Sequence, residues 1–313
     1  MKCFITGATG FLGSFLVRHL LAEGHEVHAM IRNPEPEACW RIADLMPQIQ
    51  VVAADLNHLD RLDDVLPGMR PDVIFHLAWN GVGSEARNSP VQLIQNVSST
   101  LKMLELCHLS GCPVFLGLGS QAEYGIAQGV LDEASACNPV TAYGVAKTSL
   151  SLLATKFGEI TKTRILWFRL FSAYGPKDDP NHLLPDLIVS LLNGACPPLT
   201  LGEQKWDYLY VEDAVEALVA AAMSPNAHGI FNLASGEVHS LRDVIESARN
   251  EIDPDIVLQF GELPYRPDQV MHLEGKVSRL KCATGWRPQV SLADGLKRTV
   301  AWYKEAKSIA QQE

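Results

Sequence analysis

No stretch of this chain approaches the ~18 consecutive apolar residues that a membrane-spanning helix needs, so no transmembrane helix is expected. Positive charge is also scarce: 26 Lys and Arg stand against 36 Asp and Glu, a formal charge of −10. An acidic body repels nucleic acid and anionic membranes alike, which argues against both as partners and leaves room only for a local basic pocket. Cysteine is present but unorganised. The seven thiols (Cys3, Cys39, Cys107, Cys112, Cys137, Cys196, Cys282) are scattered, with no Cys-x-x-Cys pair. Neither a zinc site nor a disulfide framework is therefore indicated. Reduced thiols in a cytoplasmic protein are expected, and no signal peptide is expected ahead of the first apolar strand.

What the chain does have is alternation. Short apolar runs at Cys3–Ile5, Glu26–Ile31, Gln50–Ala53, Val73–Ala78, Val114–Leu118, Arg164–Phe168 and Ile230–Leu233 are separated by helical patterns such as Phe11–Ala22 and Val211–Met223. Apolar strands bounded by Gly, Pro or Asp between helices indicate β-α-β units with both sheet faces covered. The expected fold class is α/β, a doubly wound parallel sheet of Rossmann type with a smaller carboxyl-terminal α/β lobe for substrate. We assign residues 1–172 to the dinucleotide-binding domain, rejoined by about 206–234. Residues 173–205 and 235–313 form the substrate lobe. Beyond Ser235, Pro254, Pro264, Pro267 and Pro288 predict short elements and loops until a helix over Leu292–Ala306.

Gly7, Gly10 and Gly13 follow the first strand and open the first helix, the context that makes a glycine-rich turn a pyrophosphate site. A side chain at the turn would keep backbone from phosphate, and the helix start offers unpaired N–H groups. In this fold an acidic residue ending the second strand usually meets the adenosine 2′-hydroxyl. Here that strand ends in Arg32-Asn33. A cation suits a 2′-phosphate, so NADP(H) is favoured, with NAD(H) as the alternative. Asp55, after the third strand, is a candidate partner for the adenine amino group.

Tyr143 and Lys147 lie four apart near a helix start, on one face. A neighbouring ammonium favours the phenolate, and Tyr143 can then exchange a proton with a substrate oxygen while hydride moves at the same carbon. Ser120 follows an apolar strand and is expected at the same cleft, where its hydroxyl can hold the reacting oxygen.

With these residues in place, the chain resembles the extended short-chain dehydrogenase/reductases, and within them the NAD(P)-dependent nucleotide-sugar epimerase/dehydratase family. Further matches are His76-Leu77-Ala78, Asn96-Val97, Glu123-Tyr124-Gly125, Arg169-Leu170-Phe171, Tyr174-Gly175-Pro176, Asp207 to Val211 and Thr284 to Pro288. The resemblance implies catalysis by Ser120, Tyr143 and Lys147, the last also holding the nicotinamide ribose, with Asn96 in support. The set expected to touch the cofactor is the opening turn (Gly7, Thr9, Gly10, Phe11, Leu12), the strand ends (Arg32, Asp55, Leu56, Leu77, Ala78), and Asn96, Tyr143 and Lys147. The substrate set is Gln121, Ser172, His182, Trp206 and Arg266. Arg266 matches a position that often meets the diphosphate. Apolar residues around 95–109 and 143–157 match helices that form a dimer interface in the family, so a homodimer is expected.

The departures from the family pattern bear on the reaction. Dehydratases of this branch carry an acidic pair after the catalytic hydroxyl, but Gln121 and Ala122 stand there and cannot do acid–base work. Epimerase–reductases that make fucose match at His182 but carry a cysteine in place of Ala122. Ser172 stands where Asn is usual and Trp206 where Arg is usual, which puts the ordinary nucleotide clamp in doubt. The leading expectation is an NADPH-dependent reductase of a 4-keto group on a nucleotide-linked deoxysugar. The alternatives are a C4 epimerase and a non-catalytic dinucleotide-binding protein.

Overall fold

The computed structural model describes residues 1–127, 129–266 and 269–310. Pro267, and residues 311–313 at the end of the expected substrate lobe, lie outside the described residues. Twelve strands are described: β1 (Lys2–Thr6), β2 (Glu26–Ile31), β3 (Gln50–Ala53), β4 (Val73–His76), β5 (Val114–Ser120), β6 (Gly129–Leu131), β7 (Arg164–Leu170), β8 (Ser172–Tyr174), β9 (Lys205–Tyr210), β10 (Gly229–Leu233), β11 (Val238–Ser240) and β12 (His272–Gly275). The α-helices are α1 (Phe11–Ala22), α2 (Leu62–Met69), α3 (Val91–Leu109), α4 (Ala142–Thr161), α5 (Leu183–Leu192), α6 (Val211–Met223), α7 (Leu241–Ile252), α8 (Ser278–Thr284) and α9 (Leu292–Ala310).

The seven apolar runs all enter one parallel sheet in the order β10-β7-β5-β4-β1-β2-β3. Strands this apolar must be covered on both faces. On one side Leu16, Leu20, Ala214 and Leu218 of α1 and α6 pack against it. On the other, Leu104 and Leu150 of α3 and α4 do so. Strand order reverses at β1, which has β2 on one side and β4 on the other. Ligands of such sheets bind in the crevice that this reversal opens at the strands' carboxyl ends. Gly7, His76 and Ser120 all lie at that edge.

A second sheet, β11-β9-β12-β6, with β8 paired to β9, forms above it. Its helical side is a separate apolar cluster in which Ile188 of α5, Val244 of α7 and Leu296 of α9 meet. Two details differ from the expectation. Residues 206–210 do not rejoin the large sheet: β9 pairs with β11 and β12, and only α6 and β10 return. The region after Ser235 also holds a full helix, α7, because Pro254 falls beyond its end. Ser240 caps it by accepting from Asp243 N–H, which is the usual job of a serine at that position.

Asp207 is the knot of the second sheet. It is fully buried, and its two oxygens accept from Ser235 N–H and Oγ–H and from the N–H groups of Gly236 and Gly275, at 2.7–3.2 Å. Asp207→Ala leaves three buried or part-buried N–H donors without this acceptor and is expected to destabilise the chain by roughly 3 kcal/mol. Urea unfolding followed by circular dichroism checks this.

Candidate active site

The opening turn is shaped by contacts that exclude side chains. Gly7 has φ +78°, and a Cβ there would lie 2.7 Å from Ala78 N and 2.9 Å from the Leu77 carbonyl carbon. A Cβ on Gly13 would meet the Gly7 carbonyl oxygen at 2.0 Å. β1, α1 and the end of β4 are thus drawn together at backbone distance. Gly10 begins α1 without a side-chain cap, and no acidic residue sits in the first turn, so the N–H groups of Phe11 and Leu12 are placed to meet an anion. These features fit a dinucleotide pyrophosphate. Thr9 lies under a clasp: Arg41 donates to the Thr9 carbonyl (3.5 Å) and the Lys177 carbonyl (2.8 Å), and Lys177 donates back to the Arg41 carbonyl (3.0 Å).

At the adenosine end, Arg32 is exposed and reaches Asp55 across the strand ends at 3.7 Å. The cation expected to meet a 2′-phosphate and the carboxylate expected to meet adenine therefore stand as a pair. Leu56 follows Asp55 and is buried in the apolar cluster with Met30 and Leu59.

Ser120 ends β5 and caps the short turn after it: Ala122 N–H donates to its hydroxyl at 3.2 Å, and its own N–H donates to Glu123 at 3.1 Å. Glu123 is fully buried. It also accepts from Trp167 and forms an ion pair with Arg169 at 2.8 Å. Thr141 caps α4, which turns Tyr143 and Lys147 toward the same edge. Burial raises the Tyr143 phenol above its ordinary range, while a hydrogen bond with the Ser120 hydroxyl and the charge of Arg87 oppose the rise.

Lys147 departs from the simple picture. Its ammonium donates to the Leu118 carbonyl at 2.5 Å and lies 3.4 Å from the centroid of the Trp79 ring, but 5.7 Å from that of Tyr143. Burial pushes this amine down to about 7, with the charge of Glu123 pulling the other way. The spacing of four places both side chains on one face, and the third partner there is Trp79. That indole packs edge-to-face on Tyr143 (5.7 Å) and donates to the buried Gln92 at 2.6 Å. Asn96 supports the same loop, donating to the Asn80 carbonyl and accepting from its N–H, both at 2.9 Å. Behind it, His76 bridges Thr6 and Thr100, held neutral by burial, which lowers its pKa to about 3.

Among the expected substrate residues, Gln121, Trp206 and Arg266 line one cavity over the Ser120 edge, together with Arg87. Trp206 donates its indole N–H to the Val270 carbonyl at 3.0 Å. Ser172 and His182 are not among the described residues lining it. Ser172 pairs with Tyr208 in the second sheet, and His182 precedes α5 with its ring on Asp178 at 2.9 Å. Trp79, Gln92 and Arg87 were not legible as site residues. The one available signal was a tryptophan directly after His76-Leu77-Ala78.

Residues 3–234 match the NAD dependent epimerase/dehydratase family. The chain belongs to that family. It is 27% identical to a UDP-glucose 4-epimerase of Mycolicibacterium smegmatis, over 97% of this chain and 99% of that protein. Its fold matches the Thermotoga maritima UDP-glucose 4-epimerase solved with UDP-glucose (TM-score 0.88, 23% identity, 98% and 100% of the two chains). It also matches the Bacillus cereus UDP-glucuronic acid 4-epimerase solved with NAD (TM-score 0.83, 25% identity, 98% and 99%). The protein is an enzyme of the extended short-chain dehydrogenase type. Among the described residues no helix is long and apolar enough to cross a membrane.

Lys147 carries a stability consequence. The folded chain holds it near 7 against an ordinary 10.5, so between those values the unfolded chain binds more protons. The cost of the buried ammonium is full below pH 7 and fades as pH rises toward 10.5. Lys147→Met is expected to be more stable than the parent chain in urea at about pH 6, with the advantage narrowing steadily toward pH 9.

Proposed function

We propose that this protein is a nucleotide-sugar 4-epimerase that keeps its dinucleotide through turnover. The observation that carries the reading is the meeting, at one sheet edge, of the Gly7–Gly13 cradle with Ser120, Tyr143 and Lys147. Beside them, past their chain neighbours Gln121, Ala122 and Thr141, lies a cavity lined by two arginines and an indole. Dehydration is disfavoured because Gln121 and Ala122 offer no carboxyl group for acid–base work. The 4-keto reductase expected from the sequence uses the same three residues, so they do not separate it from an epimerase. Full-length similarity to 4-epimerases and the Arg41–Lys177 clasp over the Thr9 turn favour the epimerase, since a reductase must release its dinucleotide every cycle.

Bound in the cradle, the nicotinamide supplies a hydride acceptor and donor. Tyr143 takes the proton from the sugar 4-hydroxyl and later returns it, while Ser120 donates a hydrogen bond to the same oxygen. Lys147, on the Trp79 face and 5.7 Å from the Tyr143 ring, favours the phenolate when it carries its proton. Arg266 holds the diphosphate, and Trp206 offers an aromatic face to a base or sugar. At the adenosine end, Arg32 admits a 2′-phosphate and Asp55 offsets part of its charge. Both dinucleotides therefore bind, the phosphorylated one more tightly, and Arg32→Ala removes the difference.

The test is turnover without added cofactor. The purified protein is expected to invert C4 of a UDP-sugar by NMR with no net change in nicotinamide absorbance. Tyr143→Phe is expected to lower kcat by about 10²–10⁴ with little change in KM. Stoichiometric consumption of NADPH would restore the reductase reading.

The chain is also proposed to dimerise through α3 and α4. These helices pack on each other and expose Ile94 (68%), Leu152 (65%) and Ile160 (72%), a density of apolar surface that marks an interface. Leu152→Glu is expected to halve the mass seen by sedimentation equilibrium.

A further inference from the structure

The cavity over Ser120 is charged against the trend of the molecule. The chain carries −10 overall, yet Arg87 and Arg266 line this cavity and no carboxylate does among its described lining residues. Neither guanidinium has a hydrogen-bond or ion-pair partner among the described residues. Unpaired cations facing a cleft of an acidic protein imply an anionic ligand. Two of them, one on each lobe, invite the question of whether one anion or two are being held.

Their attachments differ. Arg266 belongs to the second lobe and shares its part of the cavity with Trp206 and Gln269. Arg87 is anchored at the catalytic helix. Its carbonyl accepts Tyr143 N–H at 2.9 Å, and the next residue, Asn88, accepts Ala142 N–H through its side chain at 3.1 Å. Gln92, itself fully buried, pins the loop from behind by donating to the carbonyls of Gly81 (2.7 Å) and Ala86 (3.0 Å). The root of Arg87 is therefore fixed beside the reacting phenol, and its charge is felt by both Tyr143 and His182. Arg87 thus enters the cavity from the side of the catalytic helix, and Arg266 from the second lobe.

We propose that Arg87 reads a second negative charge on the substrate, a carboxylate on the sugar ring, so that the preferred ligand is a nucleotide-linked uronic acid. The inference rests on the nucleotide-sugar reading above and narrows its substrate class. A planar guanidinium with no partner among the described residues matches a carboxylate with two parallel hydrogen bonds, a geometry that lysine or a neutral side chain does not reproduce. A neutral hexose would leave the same cation without a counter-charge.

The experiment is calorimetric binding of UDP, UDP-glucose and UDP-glucuronate to the full chain carrying Tyr143→Phe to prevent turnover, with and without Arg87→Met. UDP-glucuronate is expected to bind about tenfold more tightly than UDP-glucose. Arg87→Met should abolish that difference while leaving UDP and UDP-glucose within about threefold of their former affinity. Equal binding of the two sugars before substitution overturns the proposal. So does uniform weakening of all three ligands, which would place Arg87 on the diphosphate, or failure of all three to bind. Circular dichroism melting of the Arg87→Met protein separates loss of binding from loss of fold. Selective uronate binding without C4 inversion in the Tyr143-containing chain would sink the epimerase reading and leave this one standing. Inversion with no uronate preference would do the reverse.

Discussion

A lysine ammonium buried at the carboxyl edge of the large sheet holds this site together. Lys147 gives one hydrogen bond to the Leu118 carbonyl and presses a charge onto the face of Trp79. It thereby joins three segments that are distant along the chain: the end of β5, the loop after β4, and the first two turns of α4. Each brings a functional group. β5 delivers Ser120, the loop delivers Trp79 and Arg87, and α4 delivers Tyr143. Taking a charge out of water is costly unless polar and aromatic partners replace the lost hydration. The arrangement is tolerated because those partners are built into neighbouring elements.

The cost is met by layers of support. Glu123, paired with Arg169 below the site, receives Ser120 N–H and sets the turn that aims the serine. Breaking such a buried pair from one side leaves an uncompensated charge, so this ion pair constrains the site without touching it. Gln92 and Asn96 do the same from α3, holding a loop whose glycines would otherwise let it wander. On the cofactor side the constraint is steric. The turn at Gly7 must lie against the end of β4 at backbone distance, which draws the glycine turn to the sheet edge that carries Ser120.

Much of this was legible in the residues. Buried parallel strands read as continuous apolar runs, so all seven strands of the large sheet stood out. A glycine turn between a strand and a helix carries its mechanism in its spacing, as do Tyr143 and Lys147 one helical turn apart. The second lobe was harder. Val211 to Met223 declares itself by periodicity, but nothing local in Lys205–Tyr210 says which sheet it joins; the pairing is made by His239 and Leu273, far along the chain. Ser172 and His182 were plausible by position along the sequence, yet the cavity is lined by other residues.

Local chemistry thus decided the elements, the glycine turn and the pairing of Tyr143 with Lys147 on one helical face, because each depends on neighbours within one turn or one strand. Tertiary structure alone decided what surrounds them. It turned the ammonium toward an indole rather than the phenol, set Arg32 against Asp55, and brought Arg87 to the same cavity as Arg266. Those outcomes depend on which loops converge at a sheet edge, and convergence is a property of packing that no stretch of sequence encodes by itself.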